Sequence, residues 1–86
     1  MKLYHRTTPD AAAAILASRS WSSKENTQEV YFSTVMDGEN VGYGTAVVSV
    51  DVPDDVAELE DEFPGGEQHY RVPVSALRGL LASQER

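Results

Sequence analysis

The pattern of hydrophobic and polar positions along the chain predicts four short β-strands. The stretches are rich in β-branched or aromatic residues and are bounded by glycine, proline or polar residues, as strands usually are. The predicted strands cover residues 2–6, 29–33, 45–52 and 67–74. The third, TAVVSVDV, is the strongest of the four and ends at Pro53.

Two other stretches carry helical signals. Thr8 has the hydroxyl of an N-cap, Pro9 suits a first helical turn, and Asp10 suits the positive end of a helix dipole. A helix is therefore predicted through DAAAAILAS, with one face formed by Ala12, Ile15 and Leu16. Ser75 is predicted to cap a second, short helix over ALRGLLA.

The remaining segments are predicted to be irregular. Residues 18–29 are polar and predict a loop, with Trp21 packed back on the core. MDGENVGYG (36–44) has three glycines and predicts a turn or at most one helical turn. The acidic residues 54–62 are expected to form a solvated loop or helix edge, and residues 64–66 a tight turn. These elements together predict one small α+β domain over residues 1–86.

Composition narrows the classes of protein to consider. The chain has 86 residues, of which 41% are hydrophobic, enough for one modest core. It has no cysteine, which excludes disulfides, thiolate metal sites and cysteine nucleophiles. No apolar leader follows Met1 and no apolar stretch is long enough to span a bilayer. The sequence therefore predicts a soluble cytoplasmic protein with no membrane partner.

The charge of −7 is concentrated in one part of the sequence. Half of the 14 acidic residues lie between positions 51 and 62. Such a surface repels phosphate backbones, which argues against nucleic-acid binding. The segment 54–62 is either a solvated face or an acidic patch that docks a basic protein partner or mimics nucleic acid.

Three segments contain residues suited to chemistry. Residues 5–7 read His-Arg-Thr at a predicted strand end, Tyr31 and Ser33 share one face of a second strand, and Glu67 and His69 share one face of a fourth. If these strands border one cleft, the two histidines of the chain would meet a carboxylate and a tyrosine. A metal site built from His5, Glu67 and His69 is the weaker interpretation, because such scattered ligands lack supporting neighbours, and no metal is predicted.

The segments LYHRTTPDAAAAIL, VYFSTVMDGENVGYG, AVVSVDVP and QHYRVPV, in this order, resemble the ADP-ribosyltransferase superfamily. The similarity is to the branch typified by poly(ADP-ribose) polymerases and diphtheria-type toxins. In that branch a strand-borne histidine opens the site, one tyrosine lies in an -IYF- strand, a second follows about a dozen residues later, and a glutamate begins a late strand. The resemblance covers most of the chain and implies a small ADP-ribosyltransferase-like fold.

The resemblance also implies a cofactor and its contacts. NAD+ would be the substrate, with no metal. His5 would hold a ribose hydroxyl, and Tyr31 and Tyr43 would flank the nicotinamide ring. Arg6 is the nearest candidate to meet the pyrophosphate charge, because the chain offers few other basic residues. The cofactor-binding candidates are therefore His5, Arg6, Thr7, Tyr31, Ser33 and Tyr43.

Two positions depart from the family pattern. Arg6 stands where the family often has a glycine whose backbone grips the nicotinamide amide. His69 stands where the family has its late-strand glutamate, which stabilises an oxocarbenium-like transition state. Glu67 lies two residues earlier, where the arginine-specific branch carries the first acid of its Glu-x-Glu pair. Glu67 either supplies the missing charge or orients His69, and the catalytic candidates are His5, Glu67 and His69.

Two functions follow from these observations. The first is an enzyme that transfers ADP-ribose from NAD+ to a protein or other acceptor and releases nicotinamide. A related version, RNA 2′-phosphate transfer, is less well supported because the chain lacks a basic surface. The second is a catalytically degenerate domain of the same fold. That domain would bind a nucleotide, or a protein partner through segment 54–62 as an inhibitor or antitoxin-like protein.

Overall fold

The computed structural model describes residues 1–22 and 28–86 and contains six strands and two helices within them. The strands are β1 (Lys2–Thr7), β2 (Glu29–Ser33), β3 (Ala46–Asp51), β4 (Glu58–Glu62), β5 (Gln68–Pro73) and β6 (Ala82–Gln84). The helices are α1 (Pro9–Ser18) and α2 (Val74–Leu77), and single 3-10 turns cover Val41–Tyr43 and Asp54–Val56. The strands form one antiparallel sheet in the order β4-β5-β2-β1-β3-β6. The predicted α+β class is confirmed.

Helix α1 begins and ends with local signals. The Thr8 hydroxyl accepts a hydrogen bond from the backbone N–H of Ala11 at 3.2 Å, which confirms the predicted N-cap. At the other end Arg19 adopts a left-handed conformation and its N–H donates to the Ile15 carbonyl at 2.8 Å.

Within the described residues, no helix has the length and hydrophobicity needed to cross a membrane.

The core lies between α1 and one face of the sheet. Helix α1 contributes Ala12 and Ile15, with Leu16 packed at the margin. The sheet contributes buried apolar residues from its central strands, and these are Leu3, Val30, Phe32, Val48, Val50 and Val72. Trp21 is buried against this core, as predicted. Residues 23–27 of the loop predicted over 18–29 lie outside the described residues.

The prediction of a loop or helix edge for the acidic segment is wrong over Glu58–Glu62, which form the edge strand β4. Its backbone pairs with β5, and Arg71 on β5 binds Glu58 at 2.5 Å and Glu60 at 2.6 Å. Acidic residues are poor strand formers by themselves. The neighbouring strand and its arginine stabilise a conformation that the local sequence does not favour.

The prediction for the last helix is also wrong in its extent. Helix α2 has four residues, and Ser75 lies inside it instead of capping it. The helical path ends at Arg78, whose φ of −60° and ψ of 126° are extended, and Gly79 follows with a left-handed φ of 82°. The chain then enters β6, which pairs with β3 and was not predicted as a strand.

The strand pairing leaves a gap beside β1. Within the described residues, β1 pairs with β3 at every position from Lys2 to Thr7, but with β2 only where Tyr4 lies opposite Ser33. Beyond Tyr4, β1 and β2 have no further paired positions within the described residues. Residues 5–7 of β1 and 29–31 of β2 therefore border an opening in the sheet, next to α1.

Candidate functional site

The opening between β1 and β2 holds a cavity of about 660 Å³, within the usual range for small-molecule sites of about 300–1,000 Å³. Residues 5–7 and 29–31 line it, together with parts of α1, the 3-10 turn at Tyr43 and His69 on β5. His5, Arg6 and Thr7 all line the cavity, which therefore follows the end of β1.

His5 lies at the wall of this cavity with a fixed ring. Its Nδ1 is 2.9 Å from the carbonyl oxygen of Tyr31 on β2. The ring also packs edge-on against Trp21, with 5.3 Å between ring centroids, and against Phe32 at 5.6 Å. Because a carbonyl only accepts hydrogen bonds, Nδ1 carries a proton in this contact.

Two tyrosines line the same cavity and remain accessible. Tyr31 on β2 is 44% exposed, and Tyr43 on the 3-10 turn is 63% exposed. Exposed aromatic rings beside a cavity can stack on a planar or cationic ligand.

Arg6 holds the loop that carries Tyr43. Its guanidinium donates to the carbonyl oxygens of Met36 at 2.8 Å and Gly44 at 3.2 Å, and it pairs with Asp37 at 2.8 Å. Its side chain is only 7% exposed. These bonds join the β2–β3 loop (residues 34–45) to β1. Contact between Arg6 and a pyrophosphate stays a prediction.

Gly44 allows the close approach of this loop to β1. Its φ is 151°, and a Cβ at this position would collide with the carbonyl of Thr7. Thr7 is itself buried. The loop and the end of β1 therefore form one packed unit at the rim of the cavity.

A hydrogen-bonded group of three side chains lies at the other wall. His69 Nε2 is 2.7 Å from Glu67 Oε2, which also accepts from the Ser33 hydroxyl at 2.8 Å. The backbone N–H of Glu39 donates to both carboxylate oxygens at 3.2 Å. His69 lines the cavity, whereas Glu67 and Ser33 lie behind it and do not.

Glu67 is held in its charged form by these partners. Burial raises the pKa of the Glu67 carboxyl, but hydrogen bonds from His69, Ser33 and the Glu39 N–H lower it further than burial raises it. The net pKa lies below the ordinary glutamate value of 4.5. Ionised Glu67 places one negative charge next to the imidazole of His69, a group that accepts a proton in its neutral form.

The structure therefore brings together six residues predicted from the sequence, which are His5, Arg6, Thr7, Tyr31, Tyr43 and His69. The two remaining candidates, Ser33 and Glu67, support His69 from behind. In the described part of the chain, no group of three histidine or acidic side chains could hold a metal ion.

Several lining residues were not predicted for the site. Glu60 and Asp61 of β4 border the cavity, and so does Asn40 in the β2–β3 loop. The acidic segment stands out in the sequence for its charge, but a predicted loop gives no reason to expect it beside His69. Trp21 had been predicted only as a core residue, and it also borders the cavity. Asn40 offered no signal beyond its position in a glycine-rich loop.

The chain was compared with protein-family models, with curated proteins and with solved structures. None of the three comparisons finds a significant match.

Proposed function

We propose that this protein is a small ADP-ribosyltransferase that binds NAD+ in the cavity between β1 and β2. It would transfer ADP-ribose to an acceptor and release nicotinamide. One observation carries the proposal. The residues that are candidates for NAD+ binding come from separate segments of the chain, and those at positions 5–7, 31 and 43 line one cavity together with the catalytic candidate His69.

The side chains support specific contacts with NAD+. His5 lines the cavity with its ring held by the Tyr31 carbonyl, beside the space in which a ribose hydroxyl would lie. The nicotinamide ring of NAD+ is a cation. Stacking on the accessible faces of Tyr31 and Tyr43 would stabilise it by about 0.5–2 kcal/mol.

The pair of Glu67 and His69 supports the chemical step. Departure of nicotinamide leaves positive charge on the ribose, and a nearby anion stabilises it. A neutral histidine alone would bring no charge. Glu67 is ionised, and its Oε2 lies 2.7 Å from Nε2 of His69. Glu67 would therefore supply, next to His69, the negative charge that a late-strand glutamate would provide.

The first test is an NAD+ titration of isotope-labelled protein, with nicotinamide release measured in the same samples. We expect amide shifts to cluster at residues 5–7, 31 and 43, followed by release of nicotinamide. Tyr43→Ala should weaken NAD+ binding by about 2- to 30-fold, the equivalent of one cation–π contact. Val41→Ala is the matched control, because Val41 lies on the same 3-10 turn but does not line the cavity.

The outcomes separate the candidate functions. Absence of amide shifts at millimolar NAD+ would contradict the proposal. Binding with no release, with or without added acceptor, would instead indicate the degenerate nucleotide-binding domain. Equal effects of Tyr43→Ala and Val41→Ala would argue against stacking in this cavity.

A further inference from the structure

The proposed function leaves the acceptor of ADP-ribose open, and the environment of His69 bears on it. A carboxylate only accepts hydrogen bonds, so His69 Nε2 carries the proton that it shares with Glu67. The lone pair of the neutral ring is then on Nδ1. Within the described residues, Nδ1 makes no hydrogen bond, and His69 lines the cavity.

The orientation of His69 is fixed on several sides. Glu67 holds Nε2, and the Phe63 ring packs on the imidazole with 4.5 Å between centroids. Glu67 is fixed in turn by Ser33 and by the Glu39 N–H. A carboxylate that holds one ring nitrogen of a histidine at the wall of a cavity is the arrangement that prepares the other nitrogen to take up a proton.

Acidic and basic side chains both lie near His69, but the cations, Arg6 and Arg71, are already paired with acids. Asp61 lies opposite His69 in the register between β4 and β5, and Glu60 lines the same cavity. Glu60 is paired with Arg71, whereas Asp61 has no ion-pair partner in the part of the chain that the structure describes. With Glu67 behind the ring, an incoming carboxylate would meet two unneutralised acids at this wall, so a carboxylate acceptor is disfavoured.

We propose that His69 is the general base for the acceptor, and that the acceptor reacts through an O–H or N–H group, a hydroxyl or a guanidinium, and not through a carboxylate. This inference rests on the proposed function. A carboxylate acceptor is already deprotonated at neutral pH and needs no base. A hydroxyl or guanidinium must lose a proton as it attacks, and His69 is placed to take it.

The proposed step is balanced as follows. The acceptor oxygen or nitrogen forms a bond to C1′ of the nicotinamide ribose, and the bond from C1′ to the nicotinamide nitrogen breaks. The electron pair of that bond leaves with nicotinamide and neutralises its ring. The acceptor proton passes to Nδ1 of His69, and Glu67 stabilises the resulting imidazolium. Glu67 acts only through His69 and is a positioning residue.

The experiment uses NAD+ and three peptides that are identical except for a central serine, arginine or glutamate. Transfer of ADP-ribose is measured by mass spectrometry and nicotinamide release by chromatography, from pH 5 to 8. The proteins are the wild type, His69→Ala and the control Glu62→Gln. Glu62 is an exposed acid on β4 that does not line the cavity. His69→Ala is also assayed with added imidazole, because a small base can replace a missing proton acceptor but not a missing structural contact.

We expect the serine or arginine peptide to be modified and the glutamate peptide not. His69→Ala should lower kcat by about 100-fold or more, with the NAD+ dissociation constant changed by less than about 2-fold. The increase of rate with pH across the region in which imidazoles titrate should disappear in this variant, and added imidazole should restore part of the rate. Glu62→Gln should behave as the wild type does.

Preference for the glutamate peptide, or an unchanged kcat in His69→Ala, would overturn the inference while the proposed function stands. Failure of imidazole to restore any rate would assign His69 a structural role and would also overturn it. If nicotinamide is released and no peptide is modified, water is the acceptor. Water is itself an O–H nucleophile, and the same comparison with His69→Ala decides. Absence of NAD+ binding would remove the proposed function itself, and the inference with it.

Discussion

At the scale of single residues, the carboxylate of Glu67 occupies the space that Gly38 leaves by having no side chain. A Cβ at Gly38 would collide with the Glu67 carboxylate, so the absence of a side chain there lets the carboxylate reach the Glu39 N–H. Gly42, in the same loop, has open space around it. The two glycines therefore differ in what a methyl group would meet.

Gly38→Ala should displace the Glu67 carboxylate and break its bonds to Ser33 and His69. We expect a loss of about 1–3 kcal/mol in the free energy of unfolding, because the displaced carboxylate loses its hydrogen bonds, together with shifted ring resonances of His69. Urea denaturation and NMR measure these two effects. Gly42→Ala is the control and should leave both nearly unchanged. Identical behaviour of the two variants would contradict this account of Gly38.

At the scale of elements, the β2–β3 loop owes its position to one arginine from β1. Three of its residues, Met36, Asp37 and Gly44, bind the Arg6 guanidinium. Asp37 also pairs with Arg86. Since the loop carries Tyr43, the Arg6 contacts help to set where that ring lies beside the cavity.

Arg6→Met keeps the apolar volume of the side chain and removes its hydrogen bonds. We expect the free energy of unfolding to fall by about 1.5–3 kcal/mol, because bonds to a charged group are lost and partly buried carbonyls are left unpaired. Hydrogen exchange of the loop amides should become faster, and binding of NAD+ weaker. Arg86→Met removes only the exposed partner of Asp37 and should have a smaller effect on all three measurements. An equal effect of the two variants would show that Arg6 does not hold the loop.

At the scale of the whole molecule, acid stability depends on carboxylates with a lowered pKa. The native state holds Glu67 ionised more strongly than the unfolded chain does. Its contribution to stability is therefore fully present above the unfolded value near 4.5, and it is lost as the pH falls through the lower native pKa.

Glu67→Gln should lower the free energy of unfolding at pH 7 by about 1–3 kcal/mol, because a partly buried charged acceptor is removed. The difference between wild type and variant should shrink as the pH falls below about 4.5, since the wild-type carboxyl then becomes protonated. Urea denaturation from pH 7 to pH 3 measures this dependence. Glu62→Gln, on the exposed edge strand, should produce a much smaller difference at every pH. A difference for Glu67→Gln that stays constant with pH would contradict the role assigned to its charge.

The elements specified by nearby residues were predictable from the sequence. The hydroxyl of Thr8 and the ring of Pro9 act within one turn of α1, so the start of that helix can be read from a few letters. The β-branched run of β3 and the turn over residues 64–66 depend on equally local preferences. Of the site, the sequence supplied the residue types and their pairwise faces, such as Glu67 and His69 two positions apart on one strand.

Only the tertiary structure decided the features that depend on distant partners. Strand β4 forms because β5 pairs with it and Arg71 binds its acids, and β6 forms because the edge of β3 is next to it. The opening beside β1 follows from a change of pairing partners along that strand, which no local preference encodes. His5, Tyr43 and His69 are far apart in the sequence, and they border one cavity because the sheet order brings their strands and loop together. The sequence alone determined which chemical groups the site residues carry. The distances between these residues were decided by strand pairing across the sheet, because the free energy of that pairing depends on the whole fold.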